Sequence, residues 1–429
     1  MRMFDLIVVG GGIAGLTAAA FASKNGARVA VLEASGAFGG RARTRTISGY
    51  HFNQGAHALY RDGFLDAALK DLGIALPGNV PALDTGFFVA DGRLHRAPFG
   101  AEALAATMLL SDVEKGELAS LLGSLVDGTA KGPPGATLSD TLIGLTRSDK
   151  VRAVLAAMIR LTGIVHAPDV ADGPAFLDQL RGALMRNARY LDGGWGTMVD
   201  ALAAACAGLG ADLRLSSPVA SVERGPAWLA MLRDGTAVTA RAIILAVNPA
   251  QAAALYASPG KLDAAATATP AKVACLDLGL ARLPNPDVLF ALDIDRPLYF
   301  SVHSAVAHLA PDGAALVHAM RYIEPGKTPD RGTLLAELEA FVDLAQPGWR
   351  VLEQERQFLG AMPVHPSLPL AAKYGMQGRP DIAVADSEGL FIAGDWVGPA
   401  GMLADAAAAS GRRAGETAAA FARSREPAE

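Results

Sequence analysis

Residues 4–33 read FDLIVVGGGIAGLTAAAFASKNGARVAVLE, and this stretch decides the fold. Phe4 to Val9 is a short, continuous apolar run that stops at glycines, the pattern of a strand buried on both faces. Gly10 to Gly12 make a turn. Ile13 to Asn25 reads as an alanine-rich helix ending at Gly26, a residue suited to a left-handed C-terminal cap. Arg28 to Glu33 reads as a second strand. Strand, helix and strand in about 30 residues imply parallel pairing with a right-handed crossover.

The spacing Gly10-x-Gly12-x-x-Gly15 gives that unit a chemical purpose. Gly10 permits the tight turn, Gly12 lets a pyrophosphate approach the backbone, and Gly15 lets helix and strand pack closely. Ile13 and Ala14 open the helix, whose free N–H groups and partial positive charge suit an anion. Glu33, followed by Ala34 at the end of the second strand, can accept hydrogen bonds from ribose hydroxyls and would repel a 2′-phosphate. The motif alone does not choose between FAD and NAD.

At 429 residues the chain is too long for one minimal core and implies two or three folding units. A net charge of -5 gives no general attraction to nucleic acid or anionic lipid. Cys206 and Cys275, far apart and without a CxxC pair, read as buried reduced thiols. The histidine pairs His303/His308 and His51/His57 have no accompanying Cys or carboxylate cluster, so no metal site is expected. Arg2 and the apolar run after it mimic a secretory signal, but Asp5 and the three glycines argue against one. The best membrane-span candidate, Ala242 to Ala257, is broken by Asn248, Pro249 and Gln251. The expectation is a cytoplasmic protein, with contact to a membrane surface at its periphery left open.

Further along, Thr85 to Ala97 reads as a hairpin turning at Asp91-Gly92, and residues 101–127 and 139–163 read as helices. Short strands dominate from Asp212 to Val247. Lys272–Leu280, Val288–Ile294, Leu298–Ser304, Ala314–Arg321 and Arg350–Phe358 read as strands of a second sheet, with a helix over Thr333–Leu344. Leu390 to Ala393 is a last strand, and Met402 to Arg423 a long helix.

Four segments carry a family resemblance: residues 6–34, 39–57, 190–200 and 390–411. Gly39-Gly40-Arg41-Ala42-Arg43-Thr44, then Phe52-Asn53-Gln54-Gly55-Ala56-His57, Gly193-Gly194-Trp195-Gly196, and Phe391 to Trp396 with Gly401-Met402-Leu403-Ala404-Asp405 resemble the flavin-containing amine oxidoreductase and phytoene desaturase superfamily. The resemblance implies an α/β fold, with a Rossmann-like FAD-binding domain interleaved with an α+β substrate-binding domain made of a mixed sheet and a helical insert. The implied boundaries are 1–75, 186–262 and 362–429 for the first, and 76–185 and 263–361 for the second. It implies noncovalent FAD, with Gly40 and Arg41 near the diphosphate. Gly55, Ala56 and His57 would lie near the ring, and the Val219 main chain against adenine. Gly394 and Asp395 would sit on the ribityl chain or a phosphate, and the Met402 and Leu403 N–H groups at the flavin edge. Arg41 also offers a bidentate fork for phosphate oxygens.

Departures from the family matter too. Leu403 stands where relatives place an aromatic cage residue, Leu278 where they place a flavin-facing lysine, and Asp405 where glutamate is frequent. The implied activity is desaturation or dehydrogenation of an apolar, isoprenoid- or carotenoid-like substrate, with dioxygen or a quinone as electron acceptor. The alternatives are oxidation of a protoporphyrinogen-like or amine substrate, and a non-redox carrier of prenyl groups. His57 is the one acid–base candidate.

Overall fold

The computed structural model describes residues 3–82 and 86–425. Arg2, and Thr85 at the start of the expected hairpin, lie outside them. The β-α-β unit forms as strand Phe4–Val9, helix Ile13–Lys24 and strand Val29–Leu32, the two strands parallel with Leu6 opposite Val29.

That unit lies at the heart of a seven-stranded sheet. Asp212–Arg214, Val29–Leu32, Phe4–Val9 and Ala237–Leu245 lie side by side and parallel. Ala237–Leu245 is long enough to serve two neighbours on its other edge. Its first half pairs antiparallel with Trp228–Leu232, which pairs in turn with Val219–Arg224, and its second half pairs parallel with Leu390–Ile392. Val9, Leu245 and Ile392 therefore end in register at one edge. The carboxyl ends of such strands are where open α/β sheets bind ligands.

Helix Leu403–Ser424 lies against Ile13–Lys24 at unusually close range. A Cβ added at Gly411 would stand 2.4 Å from the Ala14 carbonyl oxygen, and one at Gly415 would stand 2.2 Å from that of Ala18. Two glycines one turn apart let the backbones touch, which brings the chain's first and last helices together.

The second sheet also has seven strands, in the order Glu353–His365, Ala271–Leu280, Ala315–Ile323, Leu298–Ser301, Phe290–Asp293, Gly86–Ala90, Arg93–Arg96. All neighbours are antiparallel except Phe290–Asp293 with Gly86–Ala90. Its strands alternate as a sheet buried on both faces must. Ala274, Leu276 and Leu278 pack with helix Arg331–Ala345, whereas Val273, Cys275, Met320 and Tyr322 face the helical insert.

The insert differs from expectation. Residues 101–127 form two helices, Ala101–Ala106 and Asp112–Val126, because Ser111 and Glu114 form a capping box that starts a new one. Residues 139–163 likewise divide into Leu138–Leu145 and Asp149–Gly163, where Ser148 caps the Val151 N–H. Helices Phe64–Asp71 and Gly173–Arg186 were not expected. The expected strand Arg350–Phe358 begins as a 3-10 turn over Trp349–Leu352. The strand proper, Glu353–His365, crosses the expected boundary at 361/362, since it stays paired with Ala271–Leu280 as far as His365.

Cys206 and Cys275 are buried and free. Among the described residues no helix is long and apolar enough to cross a membrane. The Ala242–Ala257 run divides between the end of a strand and helix Pro249–Leu255, which Asn248 caps.

Close packing at the helix crossing sets an expectation. Gly415→Val should destabilise by about 1–3 kcal/mol or more by overpacking. Gly123→Ala, at an exposed helix position with open space around it, should stabilise by about 0.5–1 kcal/mol. Urea unfolding of the two variants measures both.

Candidate active site

A large cavity of about 1800 Å³ begins at the carboxyl edge of the first sheet and continues between the helical insert and the second sheet. Drug-sized ligands need roughly 300–1,000 Å³, so this space can take a dinucleotide and a second molecule.

The first end is built by the glycine turn. Gly10 has φ +104°, and a Cβ there would meet the Ala246 carbonyl oxygen at 2.5 Å, so only glycine fits. At Gly15 an added Cβ would sit 1.9 Å from the Gly10 oxygen. Gly15 does not line the cavity, and its role is the close packing of helix on strand. Above Gly12, by contrast, the nearest atom to an added Cβ is 3.9 Å away, which leaves room for a ligand. Gly10, Gly12, Ile13, Ala14, Glu33, Ala34 and Val219 all line this end. Glu33 is held rigidly. Its carboxylate accepts from the Gly11 N–H at 2.8 Å and from the Ser35 N–H and hydroxyl at 2.9 and 2.5 Å.

Helix starts distinguish this site from the rest of the fold. Every helix needs partners for its first N–H groups. Among described helices of eight or more residues, nearly all find a side-chain oxygen, as Asp112–Val126 does from Ser111 and Gly173–Arg186 from Asp172. Of the three that start at glycines, two are served from elsewhere: Leu65 donates to Asp405, and Trp195 and Gly196 to Asn53 and Thr44. The exceptions are Ile13–Lys24 and Leu403–Ser424, which have no side-chain cap, and both open onto this cavity. Leu403 adopts φ +54°, a left-handed conformation that a leucine holds only when its surroundings enforce it. It lines the cavity with Ala404, whereas the Met402 side chain turns away into the apolar core of the insert.

Arg41 and Asp395, 354 positions apart, meet midway. The guanidinium donates to both carboxylate oxygens at 2.8 and 2.9 Å and to the Val364 carbonyl at 2.9 Å. The fork read from sequence as a phosphate clamp is thus turned onto Asp395, and that carboxylate raises the arginine's pKa further. Both residues, with Gly40 and Gly394, line the cavity.

His57 lies on the wall beside Ala56, with its ring 4.7 Å from that of Trp195. Its Nδ1 lies 2.9 Å from the Gly55 carbonyl, which can only accept, so the proton is on Nδ1. Burial holds the ring below the usual imidazole range, which leaves a lone pair on Nε2 at neutral pH. Gly55 itself packs on Cys275 and Met362, away from the cavity. Trp396 fills the core beside the last strand and donates to the Val247 carbonyl. Leu278 is buried on the opposite face of its sheet.

Several lining residues escaped the sequence reading: Arg43, Arg233, Tyr190, Tyr299, Ser301 and His303. Arg43 and Tyr190 had a local signal, since they stand in the Gly39-to-Thr44 motif and in the 190–200 segment. Among the described residues no group of three His, Cys, Asp or Glu could hold a metal ion.

The donor set fits a dinucleotide carrying anionic groups at two places, one for each uncapped helix. The model of the family described as flavin containing amine oxidoreductase matches residues 13–274, more than half of the chain, and the chain belongs to that family. It is an FAD-dependent oxidoreductase. Among solved structures it is similar to an oxidoreductase from Methanosarcina mazei (18% identity, 95% of this chain and 99% of that one, TM-score 0.76). It is similar also to cyclohexylamine oxidase from Brevibacterium oxydans IH-35A (19% identity, 99% and 100% coverage, TM-score 0.70) and to putrescine oxidase (17%, 97% and 99%, 0.71). At these identities the likeness establishes the fold alone. A search of curated protein sequences found no match.

Asp405, which reaches from the last helix to the Leu65 N–H, is raised to about 6, chiefly by burial. A folded-state pKa above the unfolded one means that the fold favours the protonated acid. That stability is present below the ordinary carboxylate range and is lost as pH rises through about 6. Asp405→Asn, with no charge to bury, should therefore gain about 1–2 kcal/mol over the native chain between about pH 4.5 and about pH 8. Urea midpoints at the two pH values test this.

Proposed function

We propose that this protein removes hydrogen from a neutral, lipophilic substrate, of isoprenoid or carotenoid-like character, as a desaturase or dehydrogenase. The observation that carries this reading is the distribution of charge. Six charged residues line the cavity: Glu33, Arg41, Arg43, Arg233, Asp395 and Asp405. None comes from the helical insert or the second sheet. There the wall is apolar, with Phe99, Met158, Leu161, Ile164, Phe290 and Met320, relieved by hydroxyls and one histidine. An ammonium ion at that end would find no carboxylate, and an unpaired buried charge costs several kcal/mol. A hydrocarbon would lose nothing there and would gain by burial.

FAD would lie noncovalently, with its phosphates at the start of Ile13–Lys24, its ribose near Glu33 and its ring edge at the Leu403 and Ala404 N–H groups. A bound flavin supplies the hydride acceptor. Arg41 and Asp395 would hold the middle of the cofactor, and the positive end of Leu403–Ser424 would favour negative charge at the ring edge. Asp395 belongs to this binding set, and His57 with its Nε2 lone pair is positioned to take up a proton. The residues intact in the glycine turn, and the uncapped helices, argue against the prenyl-carrier alternative. The electron acceptor, dioxygen or a quinone, follows from the reaction class.

Two measurements follow. Asp395→Asn should retain at least about tenfold less FAD after desalting, a loss of about 1.4 kcal/mol, read from the visible absorbance. Unchanged retention would remove the Arg41–Asp395 pair from the binding set. Under anaerobic conditions, isoprenoids in detergent should bleach the flavin, whereas primary amines and porphyrinogens should not. Bleaching by amines alone would overturn the substrate reading.

A further inference from the structure

A polar patch interrupts the apolar wall that the second sheet gives to the cavity. Tyr299 and Ser301 stand two apart on strand Leu298–Ser301 and so share a face. Tyr299 packs with the core of the helical insert, whereas Leu298 and Phe300 pack on the other side of the sheet. Tyr299, Ser301 and His303, just beyond the strand, line the cavity. The directions of their hydrogen bonds follow from counting protons. The Tyr299 hydroxyl donates to Ser301 Oγ at 2.6 Å. A phenol has one proton, so toward His303 Nε2, 3.0 Å away, Tyr299 can only accept. His303 therefore carries its proton on Nε2. Burial, with His318 and His57 acting in the same direction, holds the ring well below the ordinary imidazole range and so neutral. Its Nδ1 is then a bare acceptor, and that atom is buried without a partner. Tyr190 stacks on the ring at 3.9 Å, and its hydroxyl adjoins that of Tyr299, to which it can only donate.

One proton is left over. Ser301 accepts from Tyr299, and its own hydroxyl proton has no acceptor among the described residues. A serine hydroxyl turns freely about its Cβ–Oγ bond, but here the Tyr299 proton occupies one side of the oxygen and keeps the Ser301 proton off it. The surroundings offer no substitute. Phe290 stands opposite Ser301 in the sheet and Met320 opposite Tyr299, and both line the cavity. An apolar wall with a few placed polar groups is the ordinary form of a small-molecule site, in which the polar groups fix the ligand's orientation.

We propose that Ser301 orients the substrate: its hydroxyl, aligned by Tyr299 and His303, donates a hydrogen bond to a carbonyl oxygen carried by an otherwise apolar molecule. The inference rests on the reading of a lipophilic substrate and narrows it to a ketone or aldehyde. A carbonyl accepts without donating, so it uses the Ser301 proton and brings none of its own to the apolar wall. A pure hydrocarbon would leave that proton unmatched once it had displaced water from the cavity, and a buried donor without an acceptor is costly. An ammonium group would set a second donor against the first. Tyr299 and His303 are positioning residues in this arrangement, since they act on the substrate through the Ser301 oxygen.

Matched ligands test this. The FAD-loaded protein, in detergent and without oxygen, is titrated with an acyclic isoprenoid ketone and with the alcohol and hydrocarbon of the same skeleton, and the change in flavin absorbance gives each Kd. Ser301→Ala should weaken the ketone at least about tenfold and the hydrocarbon less than about twofold. Tyr299→Phe should weaken the ketone by a smaller factor, because the Ser301 hydroxyl remains but is free to turn. Infrared spectra of the ketone labelled with carbon-13 at its carbonyl read the bond directly. The C=O stretch should lie lower in the native protein than in detergent alone and return towards the detergent value in Ser301→Ala. An unshifted stretch in the native protein overturns the proposal even if Ser301→Ala does not fold. Equal weakening of ketone and hydrocarbon overturns it as well, and an alcohol that loses as much as the ketone overturns the assignment to a carbonyl. In each of those cases a bound hydrocarbon leaves the lipophilic reading standing, whereas failure of all three ligands to bind would remove that reading itself.

Discussion

Unsatisfied backbone N–H groups organise this molecule. A helix start hidden from water needs an oxygen, and elsewhere in this fold the long helices receive one from Ser, Thr, Asp or Asn, either their own or one from a distant segment. The first and last helices are left without one, at the wall of the same cavity. Around that constraint the rest falls into place. The close glycine contacts between the two helices set their relative position, and the in-register ends of Val9, Leu245 and Ile392 put the connecting loops at one edge. Arg41 and Asp395 bond each other between these two helix starts.

The same cavity divides chemically in two. Its charged residues all belong to the side built on the first sheet, and the side built on the insert and second sheet is apolar or uncharged. That division would separate an anionic cofactor from a neutral substrate. Behind the uncharged half, Asp277 and His318 face each other across paired strands and are buried together.

How much of this was legible in the sequence depended on range. The β-α-β unit was readable because its cause is local: an apolar run, a glycine turn whose Gly10 must adopt φ +104°, and a second strand. The alternating strands of the second sheet were readable for the same reason. The Ser111-x-x-Glu114 capping box was also present in the sequence, yet a continuous apolar pattern masked the break it causes. What could not be read was pairing at a distance. Nothing near Arg41 says that its fork will meet a carboxylate 354 positions later. Asp277, His318 and His303 looked like scattered polar residues, because the register that sets Asp277 opposite His318 is decided by the packing of two whole strands. Gly55, expected near the ring, packs on Cys275 and Met362 and does not line the cavity, while Met402, expected to offer its N–H, buries its side chain in the core of the insert.

The central claim is that segments from both ends of the chain converge to hold one flavin dinucleotide. Titration of the cofactor-stripped protein, followed by quenching of flavin fluorescence, tests it most directly. FAD should bind one molecule per chain, while riboflavin and NAD should bind far more weakly, since neither presents both an anionic diphosphate and a flavin ring to the two uncapped helices. Saturation by NAD with no uptake of FAD would contradict the account.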